Sequence, residues 1–466
     1  MKTENIEDIY ELTPLQKGLL FHSLYATELS LYFFHHTFTL RGNLNVDAFE
    51  RAWQRVVDRH TILRTGFYWE DIDNPLQVVY KQAKVPLNQY DWRHLEPNEQ
   101  ERRLESFLVN DRKIGFDFSQ PCLMRLNLIR FADDCYQFVW SHHHIIIDGW
   151  TIPIVLQESA QIYIALCENQ EVSLAPNRPF RDYIDWLQEQ DISKAEFFWR
   201  ETLKGFKAPS PLTYIEINQL PSQEEKYDEE RITLSTASTR ALQSLVTQHH
   251  LTLATLVHAV WVILLSRYTC CNNIVYGCTV TGRPVDLAGT ESMVGVFINT
   301  LPIYIKLDTE QLLLSWLQDF QTQLADARHY EYTPLTQIQE WSEVPRNLPL
   351  FKSIVVVENH PISQFLRNWK GNIKFQHTGT YYKTNYPLTI VVYPDTELII
   401  AISYDSSSFD TSTITGILQD FEILLQNIQN NPYVRLKNLQ LRTPKQQQLY
   451  STLTTETDFD FNLVFH

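Results

Sequence analysis

Apolar residues recur at helical spacing in several segments of the chain, and short strand-like runs lie between them. Asn45 to His60 forms a clear amphipathic helix pattern. Near the N-terminus, Thr13, Pro14 and Gln16 have the identities of a capping box with proline at the first helical position. The most apolar stretch, Leu253 to Leu265, is too short to span a bilayer and predicts a core helix. The apolar positions of the amphipathic segment are Val46, Phe49, Ala52, Trp53, Val56 and Val57.

A strand followed by a helix is predicted in the middle of the first half. Tyr136 to Trp140 is short, aromatic and β-branched, and apolar residues recur at helical spacing from Trp150 to Cys167. A proline-containing stretch at residues 173–179 is the best candidate boundary, and helices and strands alternate again from there to about residue 430. The length and this alternation predict an α/β chain of two domain-sized units. Further strand-like segments lie near residues 62–69, 75–80 and 121–131.

The sequence Ser-His-His-His-Ile-Ile-Ile-Asp-Gly-Trp occupies residues 141–150, between this strand and this helix. It contains the pattern His-His-x-x-x-Asp-Gly, with His143, His144, Asp148 and Gly149. Neighbouring residues on a strand point to opposite faces, so three adjacent histidines rarely bind one metal ion. A neutral imidazole can instead accept a proton from a nucleophile near pH 7. The segment therefore predicts an active site without a metal, in which Gly149 allows a sharp turn.

This motif resembles the core motif of condensation domains of nonribosomal peptide synthetases, which are relatives of chloramphenicol acetyltransferase. Further segments resemble other motifs of that family, in the family's order, from residue 10 to about residue 430. They are Tyr10 to His22, Arg59 to Phe67 with the pattern RHxxLRTxF, Gly282-Arg283-Pro284 with Val294 to Pro302, Thr384 to Thr389, and Tyr404 to Asp410.

The resemblance implies a fold and a reaction. The fold is α/β (α+β), with two chloramphenicol acetyltransferase-like lobes that form a V-shaped pseudo-dimer around an active-site tunnel. Residues 1–175 are expected to form the N-terminal lobe with HHxxxDG, residues 176–440 the C-terminal lobe, and residues 441–466 a linker toward an adenylation domain. The implied enzyme is of the acyltransferase type. It forms an amide bond between a donor aminoacyl or peptidyl thioester and the amine of an acceptor aminoacyl thioester, in natural product biosynthesis.

The resemblance also implies roles for individual residues. His144 is expected to act as the general base or to position the amine by a hydrogen bond, while His143 supports the end of the strand. Asp148 is expected to form a buried ion pair with Arg59, and Arg64 is expected to join that network. Removing one partner of such a pair leaves an unpaired charge, which costs about 3–5 kcal/mol.

Three positions beside these are expected to meet substrate or the other lobe. The N–H of Gly149 can face the substrate carbonyl, and Trp150 is expected to line the substrate channel. Asn299 lies on a segment that crosses between the lobes in the family, so a lobe contact or a place in the channel is expected for it.

Composition restricts the partners. Thirty-nine basic and 55 acidic residues give a net charge of −16, which disfavours nucleic acid and anionic membranes. The sequence contains no GxGxxG motif, no P-loop, no zinc-like cysteine spacing and no secretory leader. We therefore expect a cytoplasmic, monomeric domain without bound cofactor. By resemblance, both substrates arrive on 4'-phosphopantetheine arms of donor and acceptor carrier proteins, and an adenylation domain lies adjacent.

Other members of the same superfamily remain as alternatives. A heterocyclisation domain would carry DxxxxD in place of the histidine motif. An epimerisation domain needs an EGHGR-like element, which Glu358-Asn359-His360-Pro361 does not match. A non-catalytic recruitment module usually has a damaged histidine motif. Among condensation subtypes, Ile6 to Gln16, Phe21-His22 and Val357 to Pro361 look more like domains with a D-configured donor and an L-configured acceptor than like the all-L subtype.

Overall fold

The computed structural model describes residues 3–25, 30–212, 227–358, 365–366, 369 and 371–440. The expected linker at residues 441–466 and the stretch Asn359 to Pro361 lie outside these residues. The helices are α1 (Pro14–Tyr25), α2 (Val46–Arg59), α3 (Pro97–Ile114), α4 (Thr151–Cys167), α5 (Arg181–Gln188), α6 (Ile192–Thr202), α7 (Thr236–Gln248), α8 (Leu253–Thr269), α9 (Leu313–Arg328), α10 (Leu335–Trp341) and α11 (Thr411–Asn430).

The strands of the described residues form three sheets. They are β1 (Ile6–Glu11), β2 (Phe33–Arg41), β3 (Thr65–Tyr68), β4 (Leu76–Tyr80), β5 (Leu87–Asp91), β6 (Met124–Ala132), β7 (Cys135–His143), β8 (Tyr227–Thr233), β9 (Asn273–Val280), β10 (Asn299–Lys306), β11 (Ser353–Val357), β12 (Lys374–Tyr381), β13 (Leu388–Tyr393) and β14 (Ile399–Asp405). Their orders are β1-β4-β3, β12-β2-β7-β6-β5 and β10-β9-β11-β13-β14-β8.

Local sequence signals account for the elements nearest the histidine motif. The capping box of α1 forms as predicted: the Thr13 N–H donates to Oε1 of Gln16 at 2.9 Å, and the Gln16 N–H donates to Oγ1 of Thr13 at 3.1 Å. Asn45 caps α2, whose apolar side is buried. The strand predicted at 62–69 is shorter, because residues 61–64 form a 3-10 turn and the strand begins at Thr65.

The histidine strand β7 lies in the middle of its sheet, and all nine of its residues are buried. It pairs antiparallel with β2, which places Phe33 opposite His143, and with β6, which places Met124 opposite His142. Because β7 is hydrogen-bonded on both sides, the position at which it ends is fixed. The residues that follow it therefore emerge from a rigid support.

The described residues form two hydrophobic cores, and segments from the second half of the chain pack into the core of the first half. The first core, around β2, β6, β7, α2 and α4, also receives Tyr183 and Ile184 of α5 and the segment Met293 to Phe297. The second core is built around α8, β9, β10, β13, β14 and α11. In addition, β12 leaves the second half of the chain to pair antiparallel with β2. The division at residue 175/176 stays a prediction, and these exchanged segments are what bind the two halves to each other.

Apolar helices contribute to these cores. In the described part of the chain, no single helix is long and apolar enough to cross a membrane, although α7 and α8 meet the criteria as a pair bent by 101°. Thirteen residues of α8 are buried, in agreement with the prediction of a core helix at 253–265.

Candidate active site

His144 is the first residue after β7, and its backbone is fixed by the neighbouring strand. Its N–H donates to the carbonyl oxygen of Tyr32 at 2.9 Å. The ring nitrogen Nδ1 lies 2.7 Å from the carbonyl oxygen of Ile147. A carbonyl oxygen only accepts hydrogen bonds, so Nδ1 carries the proton and Nε2 keeps its lone pair. The turn thus holds His144 in the tautomer that can accept a proton at Nε2.

Burial keeps the His144 imidazole neutral. Desolvation lowers its pKa below the ordinary value, and the Ile147 carbonyl, Asp148 and Glu358 oppose this only in part. The ring of Phe34 packs edge-on against it, with centroids 4.8 Å apart. A neutral imidazole with a free lone pair is the form that a general base requires near pH 7.

His143 points to the face of the sheet opposite to His144, and its side chain is buried. Its Nδ1 accepts the N–H of Ile145 at 3.1 Å, so Nε2 carries the proton and donates to Oγ of Ser23, also at 3.1 Å. The Ser23 hydroxyl in turn donates to the carbonyl of Leu19 at 2.8 Å. Burial lowers the pKa of His143 to about 3. These contacts tie the end of β7 to α1, which supports the structural role expected for His143.

Asp148 is completely buried and joins two distant segments. Its Oδ1 accepts the N–H of Thr151 at 3.0 Å, at the start of α4, and its Oδ2 accepts the N–H of Phe297 at 2.9 Å. Nη2 of Arg283 lies 3.5 Å from Oδ1. The Thr151 hydroxyl donates to the carbonyl of Gly295 at 2.7 Å, which adds a second link to the same segment. Asp148 therefore fixes the loop after His144 against residues 295–297.

The predicted ion pair between Asp148 and Arg59 is wrong. Nε of Arg59 lies 3.1 Å from Oε1 of Glu158, because α2 packs along α4 and brings these two side chains together. Arg59 also donates to the carbonyl of Ala175. Arg64 does not join Asp148 either, because it pairs with Glu7 at 2.6 Å.

Arg283 takes the place expected for Arg59. Its guanidinium lies over the ring of Phe297, 4.1 Å from the centroid, and donates to the carbonyl of Met293 at 3.0 Å. The neighbouring Gly282 has a φ of 61°, and a Cβ there would lie 1.7 Å from the carbonyl oxygen of Phe297. The Gly-Arg-Pro motif was visible in the sequence, but nothing local connected it to Asp148.

The remaining predicted site residues are Gly149, Trp150 and Asn299. Gly149 lies in the turn directly before α4, as expected, and it is not among the described residues with positive φ. Trp150 is half-buried directly before α4. Nδ2 of Asn299 donates to the carbonyls of Glu331 at 2.8 Å and Thr333 at 2.7 Å. Asn299 therefore fixes the loop after α9.

A cavity of about 160 Å³ lies beside the motif, and we call it the inter-lobe cavity. Its wall includes Tyr32, whose carbonyl binds the His144 N–H, and Phe297, whose N–H binds Asp148. His22 of α1 and Glu331 also line it. Residues from both halves of the chain thus enclose a space next to the histidine motif.

Three contacts of the motif were not predicted. The ring of Phe34 packs against His144, and the hydroxyl of Ser23 accepts a hydrogen bond from His143. In addition, Nε2 of Gln16 donates to the carbonyl of Ile145 at 3.1 Å. The Gln16 contact shows that the opening motif lies directly behind the histidine loop. Within the described residues, no group of three or more His, Cys, Asp or Glu side chains could hold a metal ion. The absence of a metal stays a prediction.

Known proteins resemble the chain over nearly its whole length. It is 43% identical over 451 residues to one of the linear gramicidin synthase proteins of Brevibacillus parabrevis, covering 96% of this chain and 6% of that protein. It is 32% identical over 453 residues to surfactin synthase subunit 3 of Bacillus subtilis, covering 96% and 35%. The chain thus spans only about 6–9% of the three linear gramicidin synthase proteins that it matches.

Solved structures share the fold. A four-domain nonribosomal peptide synthetase bound to AMP and glycine superposes with a TM-score of 0.81 at 18% identity, over 95% of this chain and 34% of that one. The starter condensation domain of rhizomide synthetase superposes with a TM-score of 0.78 at 16% identity, over 93% and 97%. The expected mixed α/β architecture of two acetyltransferase-like lobes is confirmed.

The model of the family described as "Condensation domain" matches residues 6–450. This match and the relatives confirm the expectation of an amide-bond-forming enzyme of the acyltransferase type. The chain belongs to the condensation domain family.

Proposed function

We propose that this domain joins two thioester-bound substrates by an amide bond, with His144 as the group that handles the amine proton. The observation that carries the proposal is the bond between Nδ1 of His144 and the Ile147 carbonyl, which leaves the Nε2 lone pair available. The substrates are a donor aminoacyl or peptidyl thioester and an acceptor aminoacyl thioester.

The proposed reaction balances around Nε2 of His144. The acceptor amine attacks the donor thioester carbon, the C–N bond forms and the C–S bond breaks. The amine proton passes to Nε2 and then to the departing thiolate, so the imidazole returns to its neutral form. The lowered pKa of His144 makes the transient imidazolium a good acid for the second transfer. Asp148 and Arg283 act by holding the loop in place rather than by touching substrate.

The partners follow from this chemistry and from the family. Two carrier proteins present the substrates on 4'-phosphopantetheine arms, and an adenylation domain lies adjacent within a larger synthetase. We place the domain in the cytoplasm as a monomer when excised. We further propose a D-configured donor and an L-configured acceptor, because the opening motif carries the subtype resemblance and its Gln16 contacts the histidine loop.

The test is product formation from two separately loaded carrier proteins. Wild-type protein should form the amide, and His144→Ala should not, with unchanged folding by circular dichroism. Efficient wild-type binding of both carriers without any product would instead indicate a recruitment module.

Epimerisation remains the second candidate because of Glu358. This residue follows β11 in the second half of the chain, and its charge partly opposes the lowering of the His144 pKa by burial. An acid near His144 from the other half is what a two-base epimerisation needs. The discriminating measurement is exchange of the donor α-proton in D₂O without acceptor. Exchange that requires both His144 and Glu358 would favour epimerisation, whereas amide formation without exchange favours condensation.

A further inference from the structure

The inter-lobe cavity has the size of one ring-bearing side chain. Its volume is about 160 Å³, and a cavity of about 150 Å³ in another protein holds benzene. Five aromatic side chains and several aliphatic ones contribute to the wall, which suits a flat, mainly apolar group. The aromatic residues of the wall are Tyr32, Tyr183, Phe297, Tyr332 and Tyr386.

Glu331 is the acidic residue on this wall, and one of its carboxyl oxygens lacks a hydrogen-bond partner. Its side chain is 13% exposed, and its Oε2 is buried without a hydrogen bond. Nε of Arg328 lies 3.9 Å from Oε2, which is beyond hydrogen-bond distance, and the Arg328 side chain is 61% exposed. Burial raises the pKa of Glu331 to about 7, and Arg328 and the Gly282 backbone oppose this only in part. A buried carboxyl oxygen in this condition gains from any ligand that donates a hydrogen bond.

The loop that carries Glu331 is rigid. Asn299 donates to its carbonyl and to that of Thr333, and the Thr333 hydroxyl accepts the indole N–H of Trp199 at 3.1 Å. The backbone on both sides of the carboxyl-bearing residue is therefore held in place. Two wall residues contact the histidine motif: the Tyr32 carbonyl accepts the N–H of His144, and the Phe297 N–H donates to Asp148.

We propose that the inter-lobe cavity selects the side chain of one of the two joined residues, and that Glu331 is its specificity-determining group. The preferred side chain is ring-sized and carries one O–H or N–H donor that bonds to the Glu331 carboxyl. This inference rests on the proposed condensation function. The donor residue and the acceptor residue are both sources of such a side chain, and the two arms of the experiment separate them.

The experiment measures single-turnover rates with phenylalanine, tyrosine or 4-aminophenylalanine on one carrier and a constant partner on the other. In one arm the varied residue is the acceptor, and in the other arm it is the donor. In one of these arms, wild-type protein should use the tyrosine and aminophenylalanine substrates about tenfold faster than phenylalanine, as one buried hydrogen bond allows. Equal rates in both arms would overturn the proposal.

Variants of Glu331 test whether its carboxyl causes the faster reaction of substrates that carry an O–H or N–H donor. Glu331→Met keeps the length of the side chain without an acceptor, so the ratio should fall to about one. Glu331→Gln keeps an oxygen acceptor and should retain part of the preference. As a matched control, Glu340→Met removes an exposed acid of α10 and should leave the ratio unchanged. If Glu331→Met slows all three substrates equally and the rate ratio persists, the Glu331 carboxyl does not bind the donor group of the substrate side chain. Absence of product with every wild-type pair would count against condensation itself.

Discussion

Replacing Asp148 by alanine should lower the free energy of unfolding by about 3–5 kcal/mol. The carboxylate is fully buried, and its removal leaves the N–H groups of Thr151 and Phe297 without their acceptor. It also leaves the guanidinium of Arg283, 8% exposed, without its counter-charge. The unpaired guanidinium and the lost bonds both contribute, because a hydrogen bond to a charged group contributes about 1.5–3 kcal/mol.

A double-mutant cycle identifies the partner of Asp148. Free energies of unfolding are measured by urea denaturation for Asp148→Ala, Arg283→Met and the double variant. The losses should be less than additive, with a coupling of about 0.5–3 kcal/mol. Arg59→Met serves as the matched control, because Arg59 pairs with Glu158, and its loss should add to that of Asp148→Ala.

The opposite pattern would show that Arg283 is not the partner of Asp148. Additive losses for Asp148 and Arg283, together with coupling between Asp148 and Arg59, would show that the Gly-Arg-Pro segment does not supply the counter-charge. A loss below about 1 kcal/mol for Asp148→Ala would show that the carboxylate is not buried in solution.

Further predictions concern acidity, the support of His143, metal and donor configuration. Burial lowers the pKa of His258 to about 4 and of His143 to about 3. The unfolded chain then binds more protons below about pH 6.5, so the urea midpoint should fall steadily from pH 6.5 to pH 4, and His258→Gln should flatten this fall. Ser23→Ala should destabilise the protein by about 1 kcal/mol in urea denaturation, since it removes the hydroxyl that accepts from His143; no measurable change would argue against that contact. Elemental analysis should find no stoichiometric metal, and EDTA should leave the condensation rate unchanged; loss of activity that zinc restores would contradict this. A D-configured donor thioester should react faster than its L epimer with an L acceptor, in single-turnover assays on the same carrier. Equal rates would reject the subtype but not the condensation reaction.

Features encoded by neighbouring residues could be predicted from the sequence. The capping box of Thr13 and Gln16, the amphipathic helix α2 and the strand-turn-helix around His144 depend on spacing over a few residues, and all three form. The motif His-His-x-x-x-Asp-Gly could be recognised because its residues, too, lie within a few positions of one another. The tautomer of His144 was not predictable, because it depends on where the carbonyl of Ile147 points.

Contacts between distant segments could not be predicted by spacing. Arg59 and Arg283 both belong to recognisable motifs, and only packing decides which of them reaches Asp148. The packing of α2 along α4 brings Arg59 to Glu158, while the turn at Gly282 brings Arg283 to Asp148. Glu331 carries no sequence signal, since its importance comes from burial beside the inter-lobe cavity.

In the proposed reaction, Nε2 of His144 handles the amine proton. The most direct measurement is the single-turnover rate of amide formation from two loaded carrier proteins, for wild type and His144→Ala. We expect a loss of at least about 100-fold, with an unchanged unfolding free energy. A His144→Ala protein that is folded and condenses at nearly the wild-type rate would show that Nε2 of His144 does not handle the amine proton.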